Sequence, residues 1–439
     1  MPLSCLADAE FVLKTTEKTR TINKIFSSQH NHQLYHKHSA ALILILIAVI
    51  TLLFANYRRG QAAFPELETV YLPLSVSSSR TGPPPAYATS IELAGALCPN
   101  DIAINQTTGN IYITNEYSNN LSLLHGIGFV GNIATGTWPI WVESDPDSDT
   151  VYVSNVVSGV TVLGDDVIET QIAPYHESYN IAINTINGYT YVTDLHRPIT
   201  IIRGQERVTD LFVPDFEGHR IEWQLASGFD EQTGLTYFAS WQKGAMTVVE
   251  DLQVVEQFPF YGEGAKDMVI DSYRRLIYIA NFRAGEDEEW FNNVSVVDID
   301  TKHVTPIFTA KHTRHLALDP ATGYVYATNP ANDTVTVLWG SKVIATHQTG
   351  KEPWGVAVDP TTGYAYVANS GENSVSVFHD GDPVTKIELP ADKGFQPWQI
   401  AVDPITNTVY VLNRSSKERH SQNSTNRVIC EQPWVHVLQ

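Results

Sequence analysis

Short apolar or alternating runs, each broken by a polar turn, follow one another along most of the chain. Between residues 353 and 389 four such runs occur in succession. Val356-Ala-Val358 is apolar throughout, which fits a strand buried on both faces. Asp359-Pro360 opens a tight turn: the Asp side chain bonds nearby backbone, Pro presets φ, and Gly363 takes the left-handed position. Tyr364 to Ala368 forms a second strand, ended by Asn369. Ser374-Val-Ser-Val-Phe378 alternates as a third. Pro383 to Leu389 is a more polar fourth, as an outer rim requires.

The same pattern recurs eight times. Its clearest copies open at Asp319, Asp359 and Asp403 and place a tyrosine at Tyr326, Tyr366 and Tyr410; weaker copies place it at Tyr112, Tyr152, Tyr191, Tyr237 and Tyr278. Successive tyrosines lie 40, 39, 46, 41, 48, 40 and 44 residues apart. A period near 40 with four strands per unit predicts an all-β fold, a β-propeller. No 3.6-residue apolar stripe runs through the repeats, which excludes helical solenoids of similar period. The eighth unit ends after its third strand, and Ala88 to Ala94 resembles an outer strand. The expected fold is therefore an eight-bladed propeller over 88–439, closed by its N-terminal strand, or a seven-bladed one if a weak unit is not a blade. Closure removes the row of unpaired backbone groups that the eighth unit would otherwise expose.

Tyr366-Val-Ala-Asn369, Tyr152-Val-Ser-Asn155 and Ile113-Thr-Asn115, each near a preceding turn, resemble the YVTN-type β-propeller repeats of surface-layer, periplasmic and YncE-like proteins. The resemblance spans about four fifths of the chain. It implies the propeller fold and says little of function, because the motif residues are structural. Units four and five depart from it, with Tyr237-Phe-Ala-Ser240 on the strand and Asp271-Ser-Tyr-Arg-Arg275 at the turn.

The front of the chain is different. Ala40 to Ala55 is uncharged and rich in Leu and Ile, and Ser39, Asn56 and Tyr57 extend it toward the length of a bilayer span. The expected organisation is a tail over 1–38, a transmembrane signal anchor over 39–57 and a Pro/Ser-rich stalk over 58–87; a cleaved signal peptide is the alternative. Lys24 and Lys37 before the segment balance Arg58 and Arg59 after it, so loop charge does not orient it. The resemblance implies a propeller on the extracytoplasmic side of the cell membrane and a cytoplasmic tail. It also makes a Cys98–Cys430 disulfide reasonable where the chain ends meet, two separate buried thiols being the alternative.

Formal net charge is −20 over the 439 residues, and the seven basic and three acidic groups of residues 1–60 leave the rest still more acidic. Such a surface repels phosphate backbones, so no nucleic acid is expected as a partner. No haem-attachment, zinc-protease, Walker or nucleophile-elbow motif occurs, and no metal or cofactor is expected. His30, His32, His36 and His38 read as a solvated tract beside the membrane segment.

Propellers bind at the channel mouth, where the residues leading into the innermost strands converge. Read round the ring, the candidate binding residues are Asn100, Asp101, Trp141, Tyr179, Asn180, Trp223, Gln224, Lys266, Asp267, Arg314, His315, Trp354, Trp398 and Gln399, with Ile140 and Gly355 completing the columns. This amphipathic rim suits an envelope protein, a peptide or a glycan; alternatively its tryptophans only fill blade interfaces. Two long loops, Arg283 to Phe291 and Arg414 to Ser421, are expected beside it. Two functions follow: a membrane-anchored, monomeric binding or scaffold propeller, or a lactonase-like hydrolase or lyase using Asp101, Asp267 and His315.

Overall fold

The computed structural model describes residues 82–173, 177–195, 198–219, 221, 223–241, 244–260, 262, 264–282, 293–309, 312–415 and 433–439. All of them belong to one compact unit, Leu74–Gln439. Met1–Pro73, with the Ala40–Ala55 run, lies outside the described residues. Among the described residues no helix is long and apolar enough to cross a membrane.

The strands form eight four-stranded antiparallel sheets, each a blade. Seven blades take their strands consecutively from the chain, beginning with Pro99–Ile104 as the innermost strand of blade 1. The eighth joins Phe395–Asp403, Thr408–Ser415 and Trp434–Leu438 to the first strand of the chain, Tyr87–Glu92. Each innermost strand touches the next, and blade 8 touches blade 1, so the ring is shut. Ile91 stands opposite Val435, and Ala86 and Gln439 exchange two backbone hydrogen bonds of 2.9 Å. Ile91 and Leu93 join one cluster with Ile111, Ile113 and Leu124 of blade 1 and Leu412, Val435 and Val437 of blade 8. The closing strand thus fills the last joint as well as the last sheet edge.

The expected turn after the innermost strand is present in all eight blades. The side chains of Asn105, Asp145, Asn184, Asp230, Asp271, Asp319, Asp359 and Asp403 each accept a backbone N–H two or three residues on. Gly363 adopts φ +77°, and in blade 5 Arg275 takes the equivalent position at φ +61°. Side-chain ion pairs to Asp230 of blade 4 and, at 3.0 Å, to Asp300 hold this arginine there.

The repeated tyrosine is the joint between blades. All eight rings are at most 2 % exposed, and a buried phenol needs a hydrogen-bond partner. In four joints the partner lies in the hairpin between the third and outer strands of the next blade, whereas the Tyr237 and Tyr278 hydroxyls are buried without one among the described residues. Tyr112 donates to Asp166, Tyr152 to the Gly204 carbonyl at 3.0 Å and Tyr191 to the Asp251 carbonyl at 2.9 Å. Tyr326 accepts the Gly381 N–H at 3.0 Å. Replacing Tyr326 by Phe orphans that buried N–H. Denaturant unfolding should register a loss of about 1–3 kcal/mol, whereas Tyr117→Phe, altering a ring 52 % exposed, should stay within about 0.5 kcal/mol of the parent.

Candidate functional site

The channel mouth is built by a repeated backbone device. The residue fourteen positions before the joint tyrosine, at the entry to the innermost strand, is left-handed in seven blades: Cys98, Trp138, Trp223, Gly264, His312, Glu352 and Gln396, with φ between +49° and +78°. Seven innermost strands then carry a register shift before regular pairing resumes. A bulge leaves residues unpaired and re-aims their side chains. Two columns of residues, twelve and eleven positions before the joint tyrosine, occupy this segment, as Trp354 and Gly355 do before Tyr366.

That register places the expected residues as read in seven blades and corrects blade 4. Gly228 pairs with Tyr237 there, so the two columns are filled by Leu225 and Ala226. Trp223 is instead the left-handed residue before the strand, and Gln224 pairs with Ser240. The constant twelve-residue spacing to the tyrosine gives the right residue.

The rim divides into two groups. One clasps neighbouring blades. Asn100 donates to the Ile140 carbonyl at 3.1 Å, and Asp101 accepts the Val142 N–H at 3.1 Å. Asn180 donates to the Leu225 carbonyl at 2.9 Å and accepts the Ser227 hydroxyl at 2.7 Å. Asp267 accepts the Leu316 N–H at 2.9 Å, with its same oxygen 3.2 Å from His315 Nδ1. Gln399 packs on Gly355, where an added Cβ would come within 2.7 Å of the Trp398 carbonyl.

The other group is an arc of rings and cations. The Arg314 guanidinium lies 3.4 Å from the Trp354 ring centroid and 4.9 Å from that of Phe282. Trp354 and Trp398 stack with centroids 4.1 Å apart, inclined at 34°. Arg414 lies 4.4 Å from Trp398 and 3.3 Å from a Glu116 carboxylate oxygen. Trp141 neighbours Tyr179 at 6.1 Å, and Lys266 of blade 5 reaches to 5.4 Å from the Trp141 ring of blade 2. Blades 2 and 5 are three apart, so side chains meet across the channel at this level.

Burial acts strongly on the charges gathered here. Desolvation pushes the Asp101 carboxyl up to about 7. It pushes Glu143 up to about 8, with the negative charges of Asp101 and Asp267 adding to it. Lys266 is pulled down to about 8 by desolvation and then by Arg314, and Arg314 to about 9 by desolvation and then by Arg414. His315 is also lowered, desolvation outweighing its Asp267 partner. Among the described residues no three His, Cys, Asp or Glu side chains are grouped to hold a metal ion.

Glu143, Glu116, Phe282 and Arg414 join the expected residues here. Glu143 had a sequence signal: the residue paired with the joint tyrosine is otherwise Ala, Gly or Val, and only blade 2 puts a carboxylate there. Glu116 and Phe282, just past the ends of second strands, had none. Of the two long loops only Arg414 and Ser415 fall within the described residues. Cys98 is buried, and its expected partner Cys430 lies outside them.

No family model matches the chain, and no curated protein matches it in sequence. Its fold has solved counterparts. BamB from Moraxella catarrhalis, 12 % identical, superposes with a TM-score of 0.57 over 81 % of this chain and 99 % of that one. Kuenenia stuttgartiensis hydrazine synthase, 16 % identical, gives 0.46 over 73 % and 93 %. The first likeness supports the eight-bladed propeller and nothing finer.

The raised carboxyls have a direct consequence. Asp101 and Glu143 hold protons in the folded ring that they release in the unfolded chain above about pH 4. Their contribution is therefore full below about pH 4 and lost as pH rises through about 7 and 8. The melting temperature should fall between pH 5 and 8.5, and Glu143→Gln should flatten that fall and raise the value at pH 8.5. A parallel profile in the variant would refute this.

Proposed function

We propose that this chain is a membrane-anchored, extracytoplasmic binding propeller of the YVTN-repeat kind, and that the entry face of its ring receives a polypeptide of the cell envelope. One observation carries the reading: the continuous arc Arg314–Trp354–Trp398–Arg414–Glu116 at the channel mouth. Half-buried tryptophans and arginines in contact are the composition of interface hot spots.

A polypeptide suits this face better than a glycan because exposed apolar groups continue from the rim. Leu97, Tyr117, Trp138 and Val157 are 44–58 % exposed on the loops of blades 1 and 2. Backbone bonds join Tyr117 to Leu97 and Val157 to Thr137, and Trp138 donates its N–H to Asn119 across the two blades. Exposed apolar groups clustered beside a polar rim fit protein contact. The Ala40–Ala55 segment would hold the propeller at the membrane. A Cys98–Cys430 bridge would fasten the last joint, in keeping with the Leu93 N–H bonded to the Pro433 carbonyl at 3.0 Å.

A hydrolase or lyase is the second reading, drawn from the Asp267–His315 contact. Asp267 also accepts a backbone N–H of the next blade, as Asp101 does. This repetition favours a role in the blade joint over that of a catalytic dyad.

The test is a photo-crosslinker placed at Trp138 of the full chain in its own membrane. A defined partner band should appear and should weaken by about tenfold or more in the Trp354→Ala, Trp398→Ala double variant, with the melting temperature held within a few degrees. An undiminished band would remove the rim from recognition. Unfolding of the double variant would show that the two rings serve only blade packing.

A further inference from the structure

Among the half-buried arginines described, Arg314 is an exception. Arg274, Arg275 and Arg414 are half-buried and each meets a carboxylate, at Asp271, Asp230 and Glu116. Arg314 is half-buried too, yet among the described residues no carboxylate or carbonyl engages its side chain. Its neighbours are rings: Trp354 at 3.4 Å, Phe282 at 4.9 Å and Trp398 at 5.8 Å. Its Nε is buried without an acceptor, and so is the adjacent Trp354 Nε1. In a chain with 48 acidic and 28 basic residues, a sheltered guanidinium in contact with no carboxylate among the described residues is conspicuous. A buried cation is costly unless paired and hydrogen-bonded.

We propose that Arg314, stacked on Trp354, is the anchor for the C-terminal carboxylate of the bound polypeptide, with Trp398 beside it receiving the terminal apolar side chain. This rests on the reading of the entry face as a polypeptide site. A guanidinium and a carboxylate are planar and form paired, charge-assisted hydrogen bonds. A ring stacked beneath the guanidinium fixes its plane and leaves its end for the ligand. Arg414 is already paired with Glu116 at 3.3 Å, and the negative charge of Asp267 also acts on Arg314, so a singly charged carboxylate meets less repulsion here than a doubly charged phosphate. Desolvation already draws the Arg314 guanidinium down to about 9, and an anion would restore it.

The experiment uses the full chain in detergent micelles and dansyl-labelled leucyl-phenylalanyl-leucine, once as the free acid and once as the C-terminal amide. Energy transfer from the rim tryptophans to the dansyl group reports binding. The acid should bind roughly tenfold or more tighter than the amide, and Arg314→Gln should erase the difference. Equal affinity for acid and amide would overturn the carboxylate anchor and leave the rim reading standing. No binding of either peptide would also overturn the anchor, the rim remaining testable by crosslinking in the membrane. Displacement of the acid by galacturonate at concentrations as low as those of the unlabelled tripeptide would overturn the polypeptide source. The acid and amide comparison in the unaltered protein decides the matter even where Arg314→Gln fails to fold.

Discussion

A large aromatic ring buried in the joint of every blade with the next organises this molecule. The ring of each joint tyrosine fills the apolar space between two sheets, and its hydroxyl in the best-defined joints meets the third-to-outer hairpin of the following blade. Blade spacing, blade tilt and the tight hairpins facing each tyrosine are therefore coupled. Tyr366 has no such consecutive hairpin ahead of it, because blade 8 closes on the first strand. In that joint Tyr364 reaches the Gly82 carbonyl at 2.8 Å instead.

The same coupling shapes the channel mouth. Because adjacent blades are held at fixed spacing, side chains on bulged innermost strands reach one blade onward. Asp101 and Asp267 do so with a carboxylate on a backbone N–H, and Asn180 with an amide on a carbonyl. These polar groups are consumed by the architecture. The arc of rings and cations takes no part in these clasps between blades.

Glu143 shows how position converts an ordinary residue into an unusual one. A glutamate on an exposed strand would ionise near pH 4. Placed in a column that other blades fill with Ala, Gly or Val, and facing Asp101 and Asp267, it keeps its proton to about pH 8. Lys266 undergoes the opposite displacement for the same reason, loss of water around the charged form.

The sequence by itself determined the repeat, the eight blades, the strand order within each and a closing strand, read at Ala88–Ala94 and found at Tyr87–Glu92. It could do so because these depend on local chemistry: apolar alternation, an Asx turn with a left-handed fourth position, and one large buried ring per unit. The two rim columns were legible for a similar reason, being a fixed distance from that ring, and in blade 4 that distance gives Leu225 and Ala226 where Trp223 and Gln224 were expected. Only the tertiary structure decided which rim residues clasp blades and which stay open. It alone brought Glu116 to Arg414, separated by 298 residues, and Lys266 to Trp141 across the channel. Those meetings follow from curvature round a closed ring, which sums over all eight joints and is written in no single repeat.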